Sequence, residues 1–323
     1  MAKKSSKPTV ILPDAEEIET LNGEIGPLLE MGESLASDDN TFEEVETAPH
    51  PEKPSVQVPV SSKNISDLAS RIAPAGSARD WRQRWLIYGM NKTGKTNSLN
   101  DPKTLIANIE MGDTTLTDKP VADRALQAPT MSKDDFEALY WFLYNSKRHE
   151  SGRGLVVKTS VGERHIDTLA FDTVTRLKDK IIRSIVLGAR ATDSSIVIDR
   201  ITIQQHGDAG TAINHWMTLF RDLPLHIVWV CQERLPGEDG DGSLGIPDLP
   251  KSVRNFLQGD ADVIGRTYKK TNDEGRIDYR MYFGPTEEYV TGDRYKVLPA
   301  GIKDPSIRKV MTYIEKKRTA ISG

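Results

Sequence analysis

Residues 89–96 have the residue types and the spacing that are needed to hold a phosphorylated ligand. They read Gly-Met-Asn-Lys-Thr-Gly-Lys-Thr and match the pattern G-x-x-x-x-G-K-[ST] at every fixed position. The glycines let the backbone wrap closely around an anion, so that successive N–H groups point at it. Lys95 can reach the β- and γ-phosphate oxygens of ATP, which makes it a catalytic as well as a binding candidate, and the Thr96 hydroxyl can bind Mg²⁺. The predicted nucleotide-binding residues are Gly89, Met90, Asn91, Lys92, Thr93, Gly94, Lys95, Thr96 and Asn97.

A carboxylate that completes the Mg²⁺ site is expected at the end of a neighbouring strand. The run His165–Asp172 (HIDTLAFD) is rich in β-forming residues and ends in such an acid. Many strands end in aspartate, so the signal is informative mainly in combination with residues 89–96. We predict that Asp172 supports the metal together with Thr96, and that Asp167, inside the run, faces solvent or a sheet edge.

Hydrolysis also requires a group that orients or activates water near the γ-phosphate. Glu110 directly follows the run Thr104–Ile109 (TLIANI), so in a parallel sheet its carboxylate emerges at the phosphate edge. Gln232 ends the most apolar strand of the chain, LHIVWVCQ, where its amide can sense the γ-phosphate. We predict both as catalytic residues. As alternatives, Glu110 is a helix-capping or surface acid, Gln232 is a buried polar strand end, and Glu233 competes for either role.

Strands that alternate with helices must position these residues. Alternation of this kind, which begins at about Arg79, is typical of an α/β domain with a mainly parallel central sheet. The crowded aromatic residues of the first long helix are interpreted as core or protomer-contact residues. The predicted strands are Arg84–Tyr88, Thr104–Ile109, Gly154–Thr159, His165–Asp172 and Leu225–Gln232; the helices are a segment capped by Ser132 and Asp135, 174–187 and 211–223; and a C-terminal β-hairpin joins 262–269 to 278–283.

The composition excludes several classes of protein. With 323 residues, a net charge of −4, 37% hydrophobic and 28% charged residues, the chain is neither membrane-embedded nor wholly disordered. The single cysteine, Cys231, excludes an internal disulfide framework and a cysteine-based zinc site. The six histidines form no metal-like cluster. The reducing environment that suits one cysteine, and a start that is not a convincing signal peptide, predict a cytoplasmic protein.

Residues 1–75 differ from the rest of the chain in charge. They contain 14 acidic and 6 basic residues, a net charge of −8, and a single aromatic residue, Phe42. Such a segment buries too little apolar surface to offset its ordering entropy, so we expect a disordered acidic tail at 1–75 and an ATPase domain at 76–323. The tail is either a solubilising extension or an arm that docks a partner or covers a basic surface.

The segments IYGMNKTGKT, NIEMGD, LAFDTVTRL and HIVWVCQER…DLPKSVRNFLQGDADVIGR resemble the phage-encoded RecA-like ATPases that are linked to single-strand annealing. The resemblance covers roughly residues 80–315. It implies a RecA-like P-loop NTPase core in which Lys95 and Thr96 bind ATP–Mg²⁺, Asp172 supports the metal and Glu110 is the catalytic acid. Gln232 would couple the nucleotide state to the loop that follows it. The resemblance also implies a homo-oligomer, as a ring or filament, that binds single-stranded DNA and works with a single-strand-binding protein or other phage replication or recombination proteins.

The sequence departs from this family in the loop at 233–248, which is acidic and therefore a poor phosphate binder. We therefore expect basic residues elsewhere in the chain to contact DNA. The alternative, given equal weight, is that these basic residues form an ordinary solvated surface. By resemblance, Arg294 and Lys296 are candidates for a basic finger that reaches the γ-phosphate of a neighbouring subunit. The alternative function is a P-loop NTPase that acts as an assembly switch or loading factor on a protein partner. The predicted DNA-binding residues are Lys251, Arg254, Arg266, Lys269 and Lys270.

Overall fold

The computed structural model describes residues 81–110, 116–117, 119–130, 132–195, 197, 201–235 and 245–321. The predicted tail at 1–75 and most of the acidic loop lie outside these described residues. Residues 80–323 belong to one compact unit.

Strands and helices alternate along most of this unit. A short 3₁₀ helix spans Val121–Asp123. The strands are β1 Arg84–Gly89, β2 Thr104–Asn108, β3 Leu126–Pro129, β4 Lys147–Arg148, β5 Leu155–Thr159, β6 Gly162–Ile166, β7 Thr168–Asp172, β8 His226–Arg234, β9 Ile246–Pro247, β10 Val263–Thr271, β11 Ile277–Tyr282, β12 Gly292–Asp293 and β13 Gly301–Lys303. The helices are α1 Lys95–Ser98, α2 Lys133–Tyr144, α3 Val174–Thr192, α4 Ile203–Arg221, α5 Lys251–Asp260 and α6 Ile307–Ile321.

The central sheet has the order β13-β11-β10-β1-β8-β7-β2-β3; in addition, β9 pairs with the end of β8 and β12 with the start of β10. The six strands from β10 to β3 are mutually parallel, whereas β11 and β13 add to β10 in antiparallel fashion. The prediction of an α/β domain with a mainly parallel sheet and a C-terminal hairpin is therefore confirmed. Apart from Arg84, β1 is buried along its length, as expected of a strand covered on both faces.

The two faces of the sheet carry separate apolar clusters. Leu86 and Tyr88 of β1 face the cluster that includes residues of α2, α3, α4 and α5. Trp85 and Ile87 face the cluster that includes Met281 of β11 and the apolar side of α6. Because successive side chains of a strand point to opposite faces, the alternation in β1 joins both halves of the core.

Local signals in the sequence account for the helix starts. Ser132 and Asp135 form the predicted capping box at the start of α2. The start of α4 was predicted at Thr211, but the helix begins at Ile203, where Thr202 and Gln205 form a second capping box. The first turn lacks an apolar pattern, since Ile203 is 92% exposed, and this explains why periodicity missed it. Among the described residues, no helix is long and apolar enough to cross a membrane.

The predicted strand His165–Asp172 is in fact two strands that belong to different sheets. β6 ends at Ile166 and pairs with β5 in a separate three-stranded sheet, β4-β5-β6, whereas β7 begins at Thr168 in the central sheet. Asp167 lies between them. The prediction that Asp167 faces solvent or an edge was wrong, because its side chain is buried and accepts two hydrogen bonds from Arg308 of α6.

The Asp167–Arg308 pair fixes α6 to the central sheet. Arg308 also binds Asp101, so one guanidinium joins two acidic side chains. Although burial alone would raise it, the bonds from Arg308 hold the pKa of Asp167 below its ordinary value. The pair therefore stabilises the ionised carboxylate within the protein.

Substitution of Arg308 by alanine would leave the Asp167 carboxylate buried without its cation. We expect Arg308→Ala to lower the free energy of unfolding by about 3 kcal/mol, measured by urea denaturation. The control is Arg276→Ala, which removes an ion pair with Glu274 whose side chains are 80% and 67% exposed. The control should change stability by less than about 1 kcal/mol. Equal effects of the two substitutions would contradict the role assigned to Arg308.

Candidate nucleotide-binding site

The phosphate loop, residues 89–96, connects the end of β1 to the start of α1. Two of its residues have left-handed backbone conformations, Lys92 with φ 61° and Gly94 with φ 88°. These reversals turn the chain back on itself between the strand and the helix. The loop thus has the curved backbone that the sequence motif predicted.

Gly89 is required by the neighbouring strand. A Cβ atom at this position would lie 2.3 Å from Thr267 Oγ1 and 2.4 Å from the backbone oxygen of Thr267, in β10. The Thr267 hydroxyl is also 2.7 Å from that of Thr93, so β10 contacts the loop at both points. The close approach of β1 and β10 therefore excludes any side chain at position 89.

Lys95 points into the phosphate loop. Its Nζ donates to the backbone oxygens of Gly89 and Met90, both at 2.7 Å, and to Oε1 of Gln232 at 3.3 Å. Burial lowers the pKa of Lys95, and the charges of Asp172 and Glu110 oppose this shift. The ammonium is therefore held, partly desolvated, beside the concave side of the loop, where it can meet phosphate oxygens.

Thr96 and Asp172 lie side by side. Thr96 Oγ1 donates to Asp172 Oδ2 at 2.6 Å. Burial raises the pKa of Asp172, and the charge of Glu110 adds to the rise, despite the opposing bond from Thr96.

A hydroxyl and one carboxylate suit Mg²⁺, which is commonly bound through one or two protein oxygens together with waters and substrate phosphates. A cluster of three or more His, Cys, Asp or Glu side chains able to hold a metal by themselves does not occur in the described part of the chain. The donor set is therefore one that fits a nucleotide-bound Mg²⁺.

Parallel register brings Glu110 and Gln232 to the same edge. Gly89 of β1 pairs with Gln232 of β8, and Asn108 of β2 pairs with Asp172 of β7. Glu110 Oε1 accepts hydrogen bonds from Thr173 Oγ1 and from Gln232 Nε2, the latter at 3.2 Å. Since the other end of the Gln232 amide accepts from Lys95, one side chain connects the phosphate loop to Glu110.

Three residues of this site were missed by sequence reasoning. Thr173, which caps α3, holds the Glu110 carboxylate. Arg176, one turn along α3, places Nε 3.9 Å from Glu110 Oε1. Tyr279 of β11 lies against Gly94, with its Cδ1 3.0 Å from where a Cβ atom of Gly94 would be. The sequence contained a usable signal for Thr173 alone, since this residue directly follows the aspartate that ends a strand. Tyr279 is brought to the loop by the folding of the β10–β11 hairpin, which no local pattern shows.

Together these residues enclose an open pocket of about 550 Å³, lined by residues 91–97, Glu110, Asp172, Thr173, Gln232 and Tyr279. The pocket contains an ammonium, a hydroxyl beside a carboxylate, and a second carboxylate held by an amide. This arrangement can hold a triphosphate with its metal and can place a carboxylate near the terminal phosphate.

Glu233 is directed away from this pocket. Its side chain is fully buried, and its Oε1 lies 2.8 Å from Arg266 Nε. The Arg266 guanidinium in turn lies 3.7 Å from the ring centre of Tyr289. Glu233 and Arg266 are thus committed to each other, so the structure does not place Glu233 beside Glu110.

The predicted DNA-binding residues differ in their exposure to solvent. Lys251, Lys269 and Lys270 are exposed, whereas Arg254 is buried on the inner side of α5. Lys251 and Arg254 therefore do not present one common basic face, although they are three residues apart. Arg266, paired with Glu233, is also turned from solvent.

Arg294 lies at the opposite edge of the sheet from its own phosphate loop. Its guanidinium donates to Asp262 Oδ1 at 3.0 Å and to the backbone oxygen of Gly259. Asp262 precedes β10 and donates its N–H to the backbone oxygen of Arg84, at the start of β1. Lys296 is exposed in the turn that follows, with φ 55°. Neither residue belongs to the pocket of its own chain.

The fold and the site define a P-loop nucleoside triphosphatase. The AAA domain family matches residues 82–295, more than half of the chain and the stretch that contains β1, the phosphate loop, Asp172 and Gln232. The chain therefore belongs to the AAA domain family. No curated protein matches the sequence. Family membership indicates binding and hydrolysis of a nucleotide, ordinarily with Mg²⁺.

Substitution at Gly89 tests the contact between β1 and β10. Gly89→Ala should displace the phosphate loop, because the nearest obstacle includes a backbone oxygen that no side-chain rotation can move. We expect turnover to fall by about 10²-fold, measured as phosphate release. The control is Gly292→Ala, where a Cβ atom would meet no heavy atom within 4 Å. Wild-type turnover in Gly89→Ala would show that the two strands can separate without cost to the site.

Proposed function

We propose that this protein hydrolyses ATP to drive a RecA-like action on single-stranded DNA, in annealing or recombination during phage DNA metabolism. The observation that carries the hydrolytic part is the continuous contact from Lys95 through Gln232 to Glu110. This contact places a phosphate-binding cation and a carboxylate at the two ends of one amide. A group that detects the phosphate is thereby joined to a group that acts on water.

The side chains divide the reaction between them. Lys95 holds the β- and γ-phosphate oxygens, and Thr96 with Asp172 would hold Mg²⁺, which would neutralise charge on the phosphates. Glu110 orients a water molecule so that its oxygen attacks the γ-phosphorus as the bond to the ADP oxygen breaks. The bonds from Thr173 and Gln232 fix the carboxylate for that task, and positioning of this kind supplies most of the catalysis in phosphoryl transfer.

The DNA part of the proposal is supported by the resemblance of residues 80–315 to RecA-like ATPases. Exposed lysines at 251, 269 and 270 are compatible with a phosphate backbone, which binds mainly through charge. The proposal includes a homo-oligomer, a single-strand-binding or related phage protein as partner, and a cytoplasmic location. Because Arg294 lies at the edge opposite its own nucleotide pocket, it could serve only a neighbouring copy.

Two substitutions should separate binding from hydrolysis. Lys95→Ala removes the phosphate-binding cation, so both ATP binding and turnover should be lost. Glu110→Gln keeps the size and hydrogen-bonding capacity of the side chain, so binding should persist while turnover falls by about 10²–10⁴-fold. Binding is measured with a fluorescent ATP analogue and turnover as phosphate release.

Exposed residues far from the pocket provide matched controls, Lys309→Ala on α6 and Glu287→Gln after β11. Both should behave as the wild type. Full turnover in Lys95→Ala would show that the hydrolysis does not take place in this pocket, and full turnover in Glu110→Gln would remove the carboxylate from the reaction.

Single-stranded DNA should accelerate ATP hydrolysis. If ATP favours DNA binding through Gln232, then DNA favours ATP binding to the same extent, since coupling between two binding sites is reciprocal, and the hydrolysis rate at subsaturating ATP rises with it. The steady-state ATPase rate is compared with and without an unstructured oligonucleotide, at low salt, where a charge-based interaction is strongest. Equal rates, together with no binding, would exclude DNA and favour the alternative of an assembly switch on a protein partner.

A further inference from the structure

A large groove lies at the other end of β7 from the nucleotide pocket. It is open, has a volume of about 1070 Å³, and runs between α2 and the three-stranded sheet β4-β5-β6. His165, at one wall, precedes the start of β7, whereas Asp172 ends it. At about 3.3 Å per residue, the five residues of β7 separate the two sites by roughly 17 Å.

The floor of the groove is the outer face of the small sheet. Leu155, Val157 and Ile166 are buried, and they form the inner face of β5 and β6, which packs against the core. The alternate residues of these strands therefore form the opposite face. In register across the three strands, Lys147, Val156 and His165 make one row. This face is not covered by another element of the described chain, and it presents polar groups to the groove.

The lining of the groove is mainly basic. The lining contains four basic residues, Lys147, Arg148, Lys158 and Arg164, and two acidic residues, Glu150 and Glu163. Lys147, Arg148 and Lys158 are exposed, and no ion pair within the described part of the chain neutralises them. Two histidines stack at the same wall, with the ring centres of His149 and His165 3.7 Å apart. Excess positive charge in a concave surface attracts an anionic partner.

Two aromatic rings form the helical wall of the groove. Trp141 is 49% exposed and Phe142 is 42% exposed, whereas Leu139, Tyr140 and Leu143 of the same helix are buried. The core side of α2 is thus complete without these two rings. Of the four aromatic residues that the sequence suggested for the core or for a contact between protomers, Tyr140 lies in the core, whereas Trp141, Phe142 and Tyr144 are turned outward.

We propose that this groove binds single-stranded nucleic acid, with Trp141 and Phe142 stacking on bases and Lys147, Arg148 and Lys158 contacting phosphates. The inference rests on the proposed function, because it gives the DNA-binding part of that function a site. Exposed aromatic rings beside a basic channel are the two features that single-strand binders combine. A duplex hides its base faces and so could not use the rings. The groove also replaces Arg254, which is buried, and Arg266, which is paired with Glu233, as the main path for the strand.

The test measures binding of the full chain to a fluorescein-labelled oligothymidylate and to the matching oligouridylate, across a salt series. Lys147→Ala/Arg148→Ala/Lys158→Ala should flatten the slope of log K against log[salt] by about 2, since each phosphate contact on a single strand contributes about 0.7. Trp141→Ala/Phe142→Ala should weaken binding by about tenfold or more at every salt concentration. Both oligonucleotides are used because the aromatic rings and the basic side chains of the groove suit either DNA or RNA.

Matched controls remove equal charge and aromatic area elsewhere. Lys251→Ala/Lys269→Ala/Lys270→Ala tests separately the exposed lysines that the sequence predicted as DNA contacts. As matched controls, Lys309→Ala/Lys316→Ala/Lys317→Ala deletes three exposed lysines of α6, and Tyr313→Ala deletes an aromatic side chain of α6 that is 36% exposed. Neither should alter affinity as strongly. Every groove variant should bind a fluorescent ATP analogue as the wild type does, because the nucleotide pocket is at the other end of β7.

Trp141→Phe gives a readout that a structural role would not produce. Phenylalanine preserves a stacking face, so affinity should stay close to that of the wild type. Quenching of tryptophan fluorescence by the oligonucleotide should nevertheless fall, because the stacked ring is the one removed. Affinity that drops equally in Trp141→Phe and Trp141→Ala would overturn the stacking role.

The outcomes distinguish the groove from the proposed function. If the groove variants bind as tightly as the wild type, or if only the variant at 251, 269 and 270 binds more weakly, the groove is refuted as the binding site. DNA binding as such would then stand. No binding by wild type to either oligonucleotide would refute both. If Trp141→Ala/Phe142→Ala instead dissociates an oligomer in sedimentation, and nucleic-acid binding is lost only as a consequence, the groove is an interface between copies and the proposal fails.

Discussion

The parallel register of β1, β8, β7 and β2 is the constraint on which the site depends. Each strand ends at the same edge, so the phosphate loop, Gln232, Asp172 and Glu110 meet there although they are far apart in the chain. The close approach of β10 adds a second condition, since position 89 has no room for a side chain. A shift of one residue in any of these strands would turn its side chains to the other face and would dismantle the pocket.

The charged side chains inside the nucleotide pocket are partly removed from water. Burial lowers the pKa of Lys95 and raises that of Asp172, which means that each charged form is less favourable than it would be in water. Their neighbours reduce that cost: the lysine donates to two backbone oxygens and to Gln232, and the aspartate accepts from Thr96. A triphosphate with Mg²⁺ brings the opposite charges to the same two groups. The site is thus arranged for the nucleotide before it binds, which lowers the reorganisation needed for catalysis.

The two ends of β7 have different characters. At its carboxyl end lies an open pocket lined by two lysines, two acids and an amide, whereas at its amino end the chain opens into a basic groove with exposed rings. Asp167, at the junction of β6 and β7, is held by Arg308, so an ion pair anchors this junction to α6. A short rigid strand is therefore the direct physical connection between the ATPase site and the groove.

The sequence by itself determined the features that depend on neighbouring residues. The phosphate loop, the strand that ends in Asp172, the capping box of Ser132 and Asp135, and the C-terminal hairpin each follow from a few adjacent positions, because local backbone geometry decides them. The tertiary structure decided what depends on distant contacts. Asp167 is buried because Arg308 reaches it across 141 residues, and Arg266 is turned from solvent because it pairs with Glu233. The contact between Gln232 and Glu110 spans 122 residues, and the outward rotation of Trp141 follows from what α2 packs against. No local pattern contains these facts, since burial and partner choice are properties of the packed sheet and not of the segment.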